Sequence, residues 1–136
     1  MVWMLVIFSA SSDRASFQHS SRLIDPLVRW LFPNISEHSL HLVVLGVRKC
    51  AHLTEYAILG VLCWMVPGPA RQEKIWSWRR ARNALLSVLI YAATDEFHQK
   101  FVPSREASVL DVLIDTAGGA LGLLFVWIVG RWRKLW

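Results

Sequence analysis

Charge is scarce in this chain. Only 18% of its 136 residues are Asp, Glu, Lys or Arg, against about 25% in an average soluble domain. Hydrophobic residues make up 54%, and the mean hydropathy is +0.37. The shortage points to a membrane protein and excludes a disordered or low-complexity chain. Cysteine is nearly absent as well. Cys50 and Cys63 lie in one apolar stretch, about 20 Å apart if that stretch is helical, which is beyond disulfide reach. Without zinc-motif spacing they read as buried thiols. No serine or cysteine stands out as a nucleophile, because Cys50 and His52 are two positions apart and face different ways on a helix. No basic segment precedes the apolar run Met1–Ala10, so it makes a poor signal peptide. As a helix it covers only about 15 Å, half a bilayer. It is expected to be a first transmembrane helix whose beginning is missing or misassigned. The length leaves room for a single domain, residues 1–136.

Three longer apolar stretches are present: about Leu42 to Val66, Asn83 to Val102 and Ala107 to Gly130. Each approaches the roughly 20 residues that cross a bilayer. The expected fold is all-α, a polytopic transmembrane bundle of four helices with the first one short. Basic residues orient it. The loop 67–82 carries Arg71, Lys74, Arg79, Arg80 and Arg82 against Glu73, and the tail adds Arg131, Arg133 and Lys134. Both are expected on the cytoplasmic side of a bacterial cytoplasmic membrane. The net charge of +5 is thereby an orientation signal, and no nucleic-acid partner is expected. Trp3, Trp64, Trp76, Trp78, Trp127, Trp132 and Trp136 fall at the expected inner helix ends or in the basic loop, as an aromatic belt would; Trp30 lies on the other side. Between the first two spans, Ser20 to Phe32 reads either as a short interfacial helix with Asp25 as N-cap and Pro26 as its first residue, or as a loop packed on the helix ends.

Ionisable side chains inside a bilayer are costly and mark functional positions. Lys49, His52, Glu55 and Tyr56 follow one another at helical offsets along one broad stripe. Asp95, His98 and Gln99 share a face of the next span, with Glu96 about 100° away. Asp111 and Asp115 step down the last span, followed by Gly118, Gly119 and Gly122. With outer boundaries near residues 47, 102 and 108, His52, Glu55, Asp95, His98, Asp111 and Asp115 lie about 5 to 12 Å below the outer surface. One polar pocket in the outer leaflet satisfies them together. Arg105 sits above it, placed to close the pocket or meet an anion. Plainer roles stand beside these. Arg48 and Lys49 can snorkel to head groups, His52 with Glu55 or Asp95 with His98 can fix helix register, and Asp111 can cap its helix. Gly118 and Gly122 suit close helix packing, including a homo-oligomer through that face.

The motifs Arg48-Lys49-x-x-His52-x-x-Glu55-Tyr56, Asp95-Glu96-x-His98-Gln99-x-Phe101-Val102-Pro103-x-Arg105 and Asp111-x-x-x-Asp115-x-x-Gly118 resemble those of the VanZ-like family of small bacterial membrane proteins. The resemblance is strong over about 42–125 and looser at Ile7-Phe8-Ser9 and Ser11-Ser12. It implies a four-helix integral membrane protein of the cell envelope and a link to lowered susceptibility to the glycopeptide teicoplanin. It supplies no mechanism, which must come from the residues. One reading is an enzyme on an outer-leaflet, lipid-linked envelope component. Its catalytic group would be His52, Glu55, Asp95, His98 and Asp115, with a histidine as general acid/base oriented by Asp95 or Asp115. Lys49 and Arg105 would bind an anionic head group, and Glu96, Gln99 and Asp111 would support them. That chemistry needs no cofactor. A second reading places a metal at His52, Glu55, Asp95 and His98, two carboxylate–histidine pairs at the offset used by di-iron bundles, which would make a metal-dependent hydrolase; the nearby Lys49 charge counts against it. A third is a non-enzymatic module that binds an envelope component or antibiotic. A fourth, a proton-coupled transporter, fits poorly with a site so far from the midplane.

Overall fold

The computed structural model describes residues 2–11, 17–66, 76–101 and 108–135, and among them the chain is all-helical. Five helices follow in order: α1 Val2–Ser11, α2 Phe17–Leu31, α3 Glu37–Met65, α4 Trp78–Gln99 and α5 Val109–Trp132. The three long ones begin on a serine. The Ser36 hydroxyl accepts the Ser39 N–H (3.2 Å), Ser77 accepts from Arg80 (3.5 Å) and Ser108 from Leu110 (3.2 Å). Each cap satisfies a backbone donor at a helix start that hydropathy alone does not mark. For that reason α3 begins at Glu37 rather than near Leu42, and α4 at Trp78 rather than Asn83.

Between α1 and α3 lies a full helix rather than a short one. Asp25 is not its N-cap, and Pro26 lies inside it. An interior proline removes one helical hydrogen bond. Ile24, Leu27, Val28 and Leu31 nonetheless keep the offsets of an amphipathic stripe, and Val28 is buried. Leu40 and Val44 of α3 are buried too. Beyond the turn at 32–36, an Arg29–Glu37 ion pair (2.6 Å) ties the two helices into a hairpin.

Contacts along α3, α4 and α5 set their directions. Lys49 meets Asp111, and Gly118 and Gly122 lie against the backbone at Leu53 and Ala57, so α3 and α5 run parallel. On α4, Asp95 meets Tyr56 and Val88 meets Gly119, so α4 runs the other way. Small residues permit the approach: a Cβ on Gly60 would stand 2.7 Å from the Gly119 carbonyl oxygen, and one on Gly118 2.5 Å from that of Leu53. Close contact through glycine is how helices pack in lipid. The Gly118/Gly122 face packs against α3 of the same chain.

Helix α1 lies beside the C-terminal half of α4. Its Ile7 is fully buried with Tyr56, Leu59, Val88 and Ala92. The Trp3 indole donates to the Glu55 carbonyl (2.9 Å), and the Tyr91 hydroxyl donates to the Met4 carbonyl (2.5 Å). Trp3 therefore stands near the level of Tyr91, about 12 Å from the C-terminal end of α4, away from the end that holds Trp64, Trp76 and Trp78.

Beside its apolar core this bundle buries, among the described residues, four polar side chains and exposes many large apolar ones. Asp95 is 3% and Asp115 4% exposed, while Ile90, Leu113 and Phe125 are 64%, 58% and 65% exposed. Among the described residues, α5 alone is long and apolar enough to cross a membrane. The other two long helices are interrupted by Arg48, Lys49 and Glu55 on α3 and by Arg82, Asp95 and Glu96 on α4.

Candidate functional site

The polar residues of α3, α4 and α5 meet at one end of the bundle, the end where α4 stops and α5 starts. They form two tiers. In the inner tier Asp95 is buried and its Oδ2 accepts from the Tyr56 hydroxyl (3.3 Å) and from Gln99 Nε2 (3.1 Å). Buried carboxylates need such donors, because desolvation otherwise disfavours them by several kcal/mol (~2–7 for a polar group). Asp115 is also buried, one turn deeper than Asp111 on α5 and within electrostatic range of Asp95, Asp111, Glu96 and Glu55. Glu96 is buried as well, and its carboxylate accepts the Ser108 N–H at the start of α5. Glu96 thereby joins the end of α4 to the cap of α5, a role that its offset from Asp95 and His98 did not suggest.

The outer tier is accessible. Lys49 Nζ pairs with the Asp111 carboxylate, their side chains 51% and 38% exposed. His52 Nδ1 lies 3.8 Å from Glu55 Oε2, with 21% and 25% exposure. Asp111 lies within the first turn of α5, but Ser108 is the cap, and the Asp111 carboxylate serves Lys49 instead. His98 is on the same end, its ring 4.5 Å from that of Phe8 on α1. The expected sharing of Asp95 by His98 is thus replaced by bonds from Asp95 to Tyr56 and Gln99.

Of the ten residues singled out from sequence, nine fall among the described residues, and the structure brings those nine to one end of the bundle; Arg105 lies outside the described residues. Among the described residues they divide by burial. Asp95, Glu96, Gln99 and Asp115 are packed away as a polar core, and Lys49, His52, Glu55 and Asp111 form its accessible rim. Tyr56, fully buried and bonded to Asp95, belongs with the core; its position in the α3 stripe was the signal for it. Among the described residues no group of three or more His, Cys, Asp and Glu side chains is arranged to hold a metal ion.

This arrangement sits on the three motifs that interrupt the spans, and a family model for VanZ/LLP1 matches residues 1–130. The chain belongs to the VanZ/LLP1 family. The match takes in α1 and α2 as well as the three helices that carry the polar motifs. Neither a curated protein nor a solved structure matches the chain. Within this VanZ/LLP1 protein the rim is the chemically usable part. It offers one ammonium, one imidazole and two carboxylates on two parallel helices, a set that can hold an anion at Lys49 and move a proton at His52.

Proposed function

We propose that this VanZ/LLP1 protein is a multi-pass protein of the bacterial cytoplasmic membrane whose polar end faces the outer leaflet and binds, or acts on, the anionic head group of a lipid-linked envelope component. The observation that carries this reading is the pattern of burial: carboxylates inside, many large aliphatic and aromatic side chains outside. Water would make the exposed apolar surface unfavourable by about 25 cal/mol per Å², whereas lipid does not. In this reading α1, α3, α4 and α5 sit in the bilayer, and α2 with the first turns of α3 stands outside it. The loop 67–82 and the C-terminus are cytoplasmic, in keeping with their basic residues.

Lys49, together with Arg105, supplies the cationic contact to the head group. His52 is the acid/base, held by Glu55. Asp95 is a positioning residue in this scheme, joining α4 to α3 through Tyr56, and Asp115 of α5 is buried near both. Asp95 is engaged by Tyr56 and Gln99 and His98 lies against Phe8, so among the described residues the acid/base role falls to His52, whose Nδ1 stands 3.8 Å from Glu55 Oε2.

The test is teicoplanin susceptibility of a Gram-positive host expressing the protein, run beside binding of isoprenyl-phosphate lipid to the purified protein. Lys49→Ala and His52→Ala are expected to abolish both at unchanged membrane level. Retention of binding by His52→Ala with loss of the phenotype would point to turnover. Wild-type behaviour of both variants in both assays would remove the site.

A further inference from the structure

A second cleft opens at the opposite end of the bundle, between the start of α4 and the end of α5. Its volume is about 370 Å³, and Trp76, Trp78, Ala120, Leu124 and Trp127 are among its walls, a size within the range of about 300–1,000 Å³ typical of ligand pockets. The walls are aliphatic and indole, and among the described residues Arg82 is the sole charged one lining it. A second guanidinium stands beside it, since Arg131 lies 5.9 Å from the ring centroid of Trp127. Both arginines are exposed. Arg80, two positions before Arg82, is spoken for: it donates to the Trp64 carbonyl (2.7 Å) and covers the Trp64 ring (4.9 Å). Thus one arginine of the group closes the bundle, while Arg82 lines the apolar slot and Arg131 stands by its Trp127 wall, and among the described residues no acid lines it.

We propose that this cleft seats one anionic diacyl phospholipid, with an acyl chain in the slot and its phosphate between Arg82 and Arg131. Guanidinium matches phosphate in charge and in bidentate geometry. Indoles settle at the head-group boundary. The slot runs from Trp78 to Leu85 on α4 and from Ala120 to Trp127 on α5, about 10 Å along the helices, so a chain entering at the arginines extends toward the midplane. The inference rests on the reading of the bundle as membrane-embedded, and it concerns a different end and different residues from the outer rim.

The test is retention of lipid by the purified protein in detergent, read by native mass spectrometry after titration with phosphatidylglycerol or phosphatidylcholine; in detergent the result does not depend on orientation. Wild type is expected to bind one phosphatidylglycerol at least about ten-fold more tightly than phosphatidylcholine. Arg82→Gln/Arg131→Gln should remove that preference, and Ala120→Trp, which fills the slot and leaves both arginines, should remove binding of either lipid. Arg133→Gln/Lys134→Gln, which alters charge in the tail only, should bind as wild type does. Equal affinity of wild type for the two lipids would overturn the proposal, as would phosphatidylglycerol binding that survives Ala120→Trp or falls as much in the tail variant as in the Arg82/Arg131 variant. Far-ultraviolet dichroism of each variant checks that a loss is not unfolding.

Discussion

Lys49 and Asp111 show how little of an ion pair's importance lies in its stability. Both are substantially exposed, and exposed pairs contribute about 0–1 kcal/mol. A double-mutant cycle with Lys49→Ala and Asp111→Ala is expected to give a coupling below about 1 kcal/mol in detergent unfolding, while Lys49→Ala alone abolishes head-group binding. A coupling of several kcal/mol would make the pair structural. Tyr56 is the contrasting residue. It is fully buried and its hydroxyl serves Asp95, so Tyr56→Phe should lower stability by about 0.6–1.7 kcal/mol, the scale of hydrogen bonds within membrane proteins, and leave lipid affinity at the rim within about two-fold. That His52, Glu55, Asp95, His98, Asp111 and Asp115 share one end of the bundle was legible in the sequence because helical rise converts position into height. Their partners were not, because an offset along one helix gives a face and not the neighbour that fills it.

Among the elements, α3 and α5 form the tightest pair, and glycine decides it. A Cβ on Gly118 would meet the Leu53 carbonyl oxygen at 2.5 Å, and one on Gly122 would overlap that of Ala57. Backbone cannot turn aside as a side chain can, so Gly122→Ala is expected to separate the helices and lower stability by about 1–3 kcal/mol or more. Gly46 is on α3 but has nothing within 4 Å of a Cβ placed there. Gly46→Ala should therefore gain up to about 1 kcal/mol from helix propensity. Thermal unfolding of the two variants in one detergent checks the contrast, and equal effects would mean that propensity rather than packing governs both. The same elements show where hydropathy misleads: α2 runs through Pro26, and α3 starts five residues ahead of its apolar run, on the Ser36 cap.

For the molecule as a whole, the two ends differ in kind. One end holds the polar core with its accessible rim. The other holds Trp64 and Trp76 with rings 5.5 Å apart, Arg80 over Trp64, and the cleft with Arg82. Basic residues gather at this second end, so the proposed topology makes a direct prediction: green fluorescent protein fused after Trp136 should fluoresce, and alkaline phosphatase fused there should be inactive. The opposite pair of results would invert the bundle and move the polar rim to the cytoplasmic leaflet. Stripping charge from the first turns of α4 by Arg79→Gln/Arg82→Gln is expected to weaken the orientation bias without disturbing the polar core.

Composition and periodicity alone determined the class of this protein: helical, apolar outside, with misfit polar groups at one depth and basic residues at the other end. These are properties of single segments, set by transfer free energy and helical rise, and each can be read one stretch at a time. Only the tertiary structure decided which of the polar groups are core and which are rim. It gave Asp95 to Tyr56 and Gln99 rather than to His98, packed the Gly118/Gly122 face against α3, and placed Trp3 near the level of Tyr91, away from the end that holds Trp64, Trp76 and Trp78. Such choices depend on how far each helix turns and slides against its neighbours, which is settled by the closest contacts between them and is written in no single segment.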